Sequence, residues 1–265
     1  MVAGPERIVC LSAEAADWLW RIGAWGRVVG TTAFFAPPIG TAPKPRISGF
    51  STAQFEEIAK LEPDLIITFS DVQAPLAAEL MRRGFAVLAT NQRTLAEIED
   101  TLAMLGRIVG CMTEAERCLN EFRQRLEPVK NVKFRPRVYF EEWNEPLIAG
   151  ITWASELIER AGGDDIFPEL RTKRAASERI VSSEEVCRRN PDVILASWCG
   201  RPVQISEIAG RPGWEGVFAV CNNHILEIPG TDILQPGFRL VHGFEKMKKD
   251  LLTAAVAAFR NLSVH

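Results

Sequence analysis

A sixteen-residue segment of this chain occurs twice in the same register. Residues 55–70, FEEIAKLEPDLIITFS, are matched without a gap by residues 183–198, SEEVCRRNPDVILASW. Each copy places two glutamates before a Pro-Asp pair and an apolar run, a pattern that predicts a short helix, a turn and a buried strand. A doubled unit in a chain of 265 residues indicates two similar lobes, and the cleft between them is the expected place of the functional site.

Strand-like apolar runs alternate with helical patterns in both halves, which predicts α/β lobes with mostly parallel sheets. The segment 33–50 carries four prolines and is expected to hold no regular element. Between the halves, apolar residues at three-to-four spacing predict one long stiff helix, or two helices that break near Gly106 and Gly110. The predicted organisation is an N-terminal lobe at 1–93, a connecting helical segment at 94–130 and a C-terminal lobe at 131–265.

Composition excludes several classes of protein. A net charge of −3 and a pI near 5.8 argue against nucleic-acid binding, and no apolar stretch is long enough for membrane insertion. The six cysteines show no metal-site or disulfide spacing and are expected to be buried free thiols. No signal peptide is recognisable, so the cytoplasm is the expected location if Met1 is the natural start.

The carboxyl ends of the predicted strands are where an open α/β sheet binds its ligand. Aromatic side chains are prominent there, and flat apolar walls with a few polar groups suit a bulky planar or macrocyclic ligand. The alternative for each aromatic residue is core packing. For the carboxylates it is an ion pair with Arg171, Arg174 or Arg179. The predicted ligand-binding residues are Phe34, Phe50, Ser70, Asp71, Asn91, Gln92, Arg93, Glu141, Glu142, Trp143, Trp198 and Asp232.

Metal binding and catalysis have little support in the residues. The three histidines all lie in the last 42 positions and Tyr139 is the only tyrosine, so neither a His-rich metal site nor a paired-tyrosinate iron site is expected. None of the common hydrolase, protease or nucleotide-binding motifs is present. Cys199 with His224 is the one nucleophile pair worth weighing, and no local feature favours its thiolate. A protein that is not an enzyme, with no required cofactor, is predicted.

Several segments resemble one family, the class III or helical-backbone periplasmic binding proteins of ABC transporters for vitamin B12, siderophores and haem. The resemblance runs through RIVCLSAEAADWLWRIGAWGRVVGTT, PRISGFSTAQFEEIAKLEPDLIITFSD, AGGDDIFPEL and VSSEEVCRRNPDVIL, and covers nearly the whole chain. The cobalamin-binding branch is the most similar. It implies two Rossmann-like lobes joined by one long backbone helix, with the ligand held between the lobes.

The resemblance also implies a partner. Glu56 and Glu184 match the acidic positions, one per lobe, that dock onto an ABC transporter permease in this family. The alternative is that both glutamates only complement the dipoles of their helices. Leu147 stands where cobalamin binders often have an aromatic residue, which weakens the corrinoid assignment.

The function predicted from the sequence is capture of a bulky ligand, cobalamin or another corrinoid, by a monomeric substrate-binding protein. Two alternatives remain open at this point. One is an iron-siderophore or haem receptor of the same fold. The other is a cytoplasmic cofactor-sensing or cofactor-handling protein without a transporter partner.

Overall fold

Short strands alternate with helices in both halves of the chain, as the sequence predicts. The computed structural model describes residues 4–262. These fall into two compact units that divide after Arg123, here called the N-lobe and the C-lobe. Most of the segment 94–130, predicted to connect the lobes, therefore belongs to the N-lobe.

The N-lobe contains a five-stranded sheet in the order β3-β2-β1-β4-β5, with every neighbouring pair parallel. Apolar side chains of the sheet pack against the helices of the lobe. Its strands are β1 (Ile8–Cys10), β2 (Val28–Thr32), β3 (Arg46–Ser48), β4 (Leu65–Phe69) and β5 (Val87–Thr90). Its helices are α1 (Ala13–Arg21), α2 (Phe55–Lys60), α3 (Ala74–Arg82), α4 (Leu95–Ile108) and α5 (Met112–Arg125), the last of which crosses the division between the units. One buried cluster comprises Val9, Leu11, Ile47, Ile58, Ile66, Leu76 and Leu80.

Strand β3 corrects the expectation that the segment 33–50 is wholly irregular. It is a three-residue edge strand whose neighbour is β2. All four prolines of the segment precede it, so none removes a hydrogen-bond donor from the strand itself. The carbonyl of Pro45 accepts a hydrogen bond from Thr31 N at 2.9 Å, and so starts the pairing.

The helical segment between the repeat copies is two helices rather than one. Helices α4 and α5 have 14 residues each, and Gly110, at φ +69°, lies between them in the left-handed region that favours glycine. A Cβ on Gly106 would lie 2.4 Å from Cβ of Ala115, so the absence of a side chain at Gly106 lets the two helices approach closely. Gly106 and Gly110, which suggested a possible break in the sequence, are thus the residues that allow the chain to turn between α4 and α5.

The C-lobe sheet runs β10-β9-β6-β7, with β8 also paired to β6. The pair β6–β7 is antiparallel and the others are parallel. Its strands are β6 (Arg137–Asn144), β7 (Leu147–Ala149), β8 (Asp164–Asp165), β9 (Val193–Ala196) and β10 (Ile225–Glu227). Its helices are α6 (Thr152–Arg160), α7 (Ser183–Arg189), α8 (Ile205–Ala209), α9 (Phe218–Cys221), α10 (Gly230–Ile233) and α11 (Leu240–Leu262).

The repeated Pro-Asp pair has the same structural role in each lobe. Asp64 accepts hydrogen bonds from the backbone N–H groups of Glu6 and Arg7 at 2.7 and 3.0 Å, just before β1. Asp192 accepts one from Arg137 N at 2.7 Å, at the start of β6. Each aspartate therefore ties the repeat strand to its parallel neighbour, and the two lobes are built around the same helix, turn and strand. The fold class predicted from the sequence, two α/β lobes with mostly parallel sheets, is confirmed.

Candidate functional site

Two of the predicted aromatics form an exposed pair on the N-lobe. Phe34 follows β2 and Phe50 follows β3, and because these strands are parallel neighbours their carboxyl ends bring the two rings together. The ring centroids are 6.4 Å apart at an interplanar angle of 81°, an edge-to-face arrangement. Phe34 is 50% exposed and Phe50 is 44% exposed. Two large apolar rings that stay this accessible are available to stack against a ligand.

Polar residues follow the next two strand ends of the N-lobe. Arg93, after β5, donates to Asp71, after β4, at 2.7 Å, and its guanidinium lies 5.5 Å from the ring centroid of Phe69. Arg93 is almost fully buried whereas Asp71 is exposed. Ser70 adopts φ +68°, a left-handed conformation that is strained for a non-glycine residue, and its hydroxyl accepts from Val72 N at 3.3 Å. The structure therefore brings Asp71 and Arg93 together at the ends of two neighbouring strands.

The predicted cluster Asn91–Gln92–Arg93 is only partly on the surface. Asn91 is exposed, but Gln92 is buried. Thr94 and Glu97 form a capping box at the start of α4, and the Glu97 carboxylate also accepts from Arg93 N at 2.5 Å. This cap holds the backbone after β5 against the lobe, so Gln92 is turned into the interior and its assignment to the ligand surface is revised.

Gln73 is a residue of this edge that the sequence did not reveal. Its side-chain amide donates to the carbonyls of Leu11 (3.1 Å) and Phe50 (2.6 Å), and its oxygen accepts from Phe69 N at 2.9 Å. The buried amide thus ties together the chain after β1, the chain after β3 and the end of β4. It fixes the backbone that carries the exposed Phe50 ring.

The burial of Glu141 and Trp198 in the C-lobe disagrees with the prediction that both contact the ligand. Glu141 is completely buried and Trp198 is 2% exposed. The Trp198 indole N–H donates to Glu141 at 3.0 Å, and Arg211 binds the same carboxylate through two N–H groups at 2.5 and 2.8 Å. Burial alone would lower the pKa of Arg211, but the Glu141 carboxylate more than offsets it and raises the pKa. These three residues form an internal network beneath the strand ends.

Glu142 forms the ion pair that the sequence offered as the alternative to ligand contact. The buried Arg179 donates to both Glu142 oxygens at 2.6 and 3.0 Å and also to the carbonyl of Ala149. Asp232, on α10, is likewise paired, with Arg239 at 2.6 Å. Both carboxylates are therefore engaged within the C-lobe.

Trp143 is partly exposed near the end of β6, and its indole N–H donates to the carbonyl of Glu145 at 2.8 Å. Arg201 lies over two indoles, with its guanidinium carbon 5.6 Å from the Trp143 centroid and 4.4 Å from the Trp198 centroid. Arg201 was not among the predicted site residues because CGRPVQ reads only as a polar loop. The sequence feature that could have revealed Arg201 is its position three residues after Trp198, a tryptophan at a strand end.

The two glutamates predicted to dock onto a partner are both exposed in the first turns of α2 and α7. Glu56 is 82% exposed and pairs with Arg83 at 3.0 Å. The pKa of Glu184 is lowered by a hydrogen bond from its own backbone amide and by the Ser182 hydroxyl. Their neighbours in the repeat differ, since Glu57 pairs with Lys60 and Glu185 with cations of its own helix.

The pKa of Glu185 shows how strongly the arginines of its own helix act on the carboxyl. Hydrogen bonds from Arg188 and then Arg189 lower the pKa of its carboxyl to about 2. Of each adjacent glutamate pair, the second is thus held by cations of its own helix, whereas the first is exposed and Glu56 pairs instead with Arg83, which follows α3.

Comparison with known proteins supplies the family. A model described as "Periplasmic binding protein" matches residues 8–231. The chain belongs to this family. Among its relatives, a cobalamin-binding protein of Halobacterium salinarum is 26% identical over 259 residues, which cover 91% of this chain and 69% of the relative.

Two solved members of the fold are also similar. The periplasmic vitamin B12-binding protein of Vibrio cholerae superposes with a TM-score of 0.72 at 24% identity, covering 95% of this chain and 98% of that one. The periplasmic haem-binding protein BhuT in complex with two haems gives a TM-score of 0.77 at 17% identity, with coverage of 94% and 98%. The resemblance inferred from the sequence is confirmed.

Family membership makes this chain a substrate-binding protein of the type that serves ABC transporters, and its named relatives are binding proteins. The family match gives no support to the cytoplasmic location expected from the sequence. Within the described residues, no helix has both the length and the apolar character needed to cross a membrane. The same residues contain no group of three or more metal-binding side chains positioned to hold an ion.

Proposed function

We propose that this protein captures a corrinoid, such as cobalamin, without chemistry and delivers it to an ABC transporter. The observation that carries the proposal is the exposed Phe34–Phe50 pair at the carboxyl ends of β2 and β3. Corrinoids present broad apolar faces edged by amides, and two accessible rings gain most of their binding energy from covering such a face. The cobalamin-binding relative supports the same ligand class.

The polar groups beside the rings support this ligand. Asp71 is exposed and Asn91 is exposed, and both lie at the ends of neighbouring strands β4 and β5. An amide side chain of a corrinoid can donate to a carboxylate and accept from an asparagine amide. Arg93 orients Asp71 through their 2.7 Å contact, so that the carboxylate is held in place before the ligand arrives.

The experiment is a titration of the purified protein with cyanocobalamin, dicyanocobinamide and haemin, followed by calorimetry. The parent protein is expected to bind the corrinoids. The double variant F34A/F50A should weaken that binding about tenfold or more because two stacking contacts are lost. M81A, which removes an exposed apolar side chain near the C-terminal end of α3, is the matched control and should leave the affinity unchanged.

Haemin separates the corrinoid assignment from a haem receptor of the same fold. Haemin binding that exceeds corrinoid binding, and that depends on Phe34 and Phe50, would transfer the proposal to haem. A corrinoid affinity that F34A/F50A leaves unchanged would remove the exposed pair from the binding surface.

We also propose that Glu56 and Glu184 dock the loaded protein onto the permease. Both carboxylates are exposed at equivalent positions of the repeat, with Glu56 paired to Arg83, whereas Glu57 and Glu185 are engaged by cations of their own helices. Charge reversal with E56K/E184K should abolish stimulation of the transporter ATPase in proteoliposomes while ligand affinity is retained. The matched control is E57K/E185K, which should stimulate the transporter ATPase more strongly than E56K/E184K does. Equal losses of ATPase stimulation in the two double variants would contradict the assignment.

A further inference from the structure

Arg201 lies in the loop 199–204 that follows the carboxyl end of β9. Its guanidinium covers the Trp198 ring at 4.4 Å and reaches the Trp143 ring at 5.6 Å. Cation–π contact with two indoles holds a flexible arginine in one place. The side chain is 41% exposed.

The platform under Arg201 is rigid. Trp198 is buried, and its indole N–H is fixed by Glu141, which is in turn held by two N–H groups of Arg211. A fully satisfied buried network of this kind fixes the orientation of its members. The ring that supports the guanidinium therefore has little freedom to move.

Hydrogen bonds use only part of the guanidinium. Glu207 accepts from Arg201 Nη2 at 2.8 Å, and the same Glu207 oxygen accepts from Asn144 at 3.1 Å. Within the part of the chain that the structure describes, this is the one hydrogen bond that Arg201 donates. Since a guanidinium has five N–H groups, an edge remains for a bidentate contact with an anion.

The buried charges at this end of the C-lobe sheet are each paired with an opposite charge. Arg211 neutralises Glu141, and Arg179 neutralises Glu142. Arg201 is thus the cation here that combines an accessible edge with a fixed position. Glu207 orients it and at the same time competes for its charge.

We infer that Arg201 recognises a phosphate group carried by the ligand, an inference that rests on the proposed corrinoid function. By this contact, the C-lobe would favour corrinoids that carry a phosphate over those that lack it.

The test compares cobinamide with cobinamide phosphate, which differ by a single phosphate group, using calorimetric titration of each variant. The parent protein should bind cobinamide phosphate about tenfold more tightly than cobinamide. R201Q should abolish that preference while leaving the affinity for cobinamide unchanged, and R201K should restore it only in part because a lysine lacks the planar fork. E207Q should increase the preference, because it removes the competing charge while an amide oxygen can still orient Arg201.

Two controls keep the outcomes separate. R188Q changes an exposed arginine on α7 that pairs with Glu185 and should change neither affinity, and thermal unfolding of each variant checks that the lobe is intact. If R201Q weakens both ligands equally, or if the parent shows no preference for the phosphate, Arg201 is not a phosphate-recognition residue. If the parent binds neither corrinoid, the proposed function itself fails.

Discussion

Glu14 provides the sharpest test of how the N-lobe is built. It lies in the first turn of α1, is almost fully buried, and is close enough to the Cys10 thiol for its charge to raise the pKa of that group, after the larger effect of burial. Burial also raises the pKa of the Glu14 carboxyl from its ordinary value of 4.5 to about 7, although its own backbone amide and the Ser12 hydroxyl nearby oppose the shift.

The sign of the pH dependence follows from that shift. Because the folded state binds the proton more tightly than the unfolded chain, Glu14 imposes no penalty below pH 4.5. As pH rises from 4.5 towards 7, the unfolded chain releases this proton while the folded state keeps it, so stability falls; the loss is complete once the folded-state carboxyl has ionised as well. A pKa raised from 4.5 to about 7 corresponds to a loss of about 3 kcal/mol above pH 8, at roughly 1.4 kcal/mol for each tenfold change in proton affinity.

E14Q keeps the shape of the side chain and cannot ionise. Urea unfolding followed by tryptophan fluorescence should therefore show E14Q more stable than the parent at pH 8.5, by up to about 3 kcal/mol, with the difference gone at pH 4.5. The control E56Q, at an exposed position of the same lobe, should change stability by less than about 0.5 kcal/mol at either pH. Equal stability of E14Q and the parent at pH 8.5 would refute the view that Glu14 is held in a dry environment.

Three further variants test the contacts that build the lobes. R211M should destabilise the C-lobe by about 3–5 kcal/mol in urea unfolding, because it leaves the Glu141 carboxylate buried without its cation; a change below 1 kcal/mol would contradict the network. G106A normally would stabilise a helix, but its Cβ would lie 2.4 Å from that of Ala115, so a loss of about 1–3 kcal/mol is expected in thermal unfolding, and a raised melting temperature would count against close packing of α4 on α5. D64A should cost about 2 kcal/mol in urea unfolding because two backbone N–H groups lose a charged acceptor, whereas an unchanged midpoint would show that β1 is held without it.

The repeat carried most of the fold information that the sequence contains. Helix, turn and strand follow from local periodicity and from the Pro-Asp pair, and they occur twice as predicted. What the pattern could not show is why the aspartate recurs. Asp64 contacts Arg7 and Asp192 contacts Arg137, more than fifty residues earlier in each case, and such pairings become visible only when parallel strands are in place.

The candidate surface was predictable where a residue follows a strand end and has no competing partner. Phe34 and Phe50 meet this condition, and they lie together and exposed. Glu141 and Trp198 were expected at strand ends, yet β6 continues past Glu141 to Asn144, and both residues are buried. The Glu141 carboxylate accepts from Trp198 and is also bound by Arg211, 70 residues further along the chain. No local sequence feature marks such a long-range ion pair.

Capture of a corrinoid can be measured by equilibrium dialysis of the purified parent protein against cyanocobalamin, read by visible absorbance. We expect saturable retention of one cyanocobalamin per chain, with half-saturation in the micromolar range or below. Equal cyanocobalamin concentrations on both sides of the membrane, at protein concentrations well above that range, would contradict it.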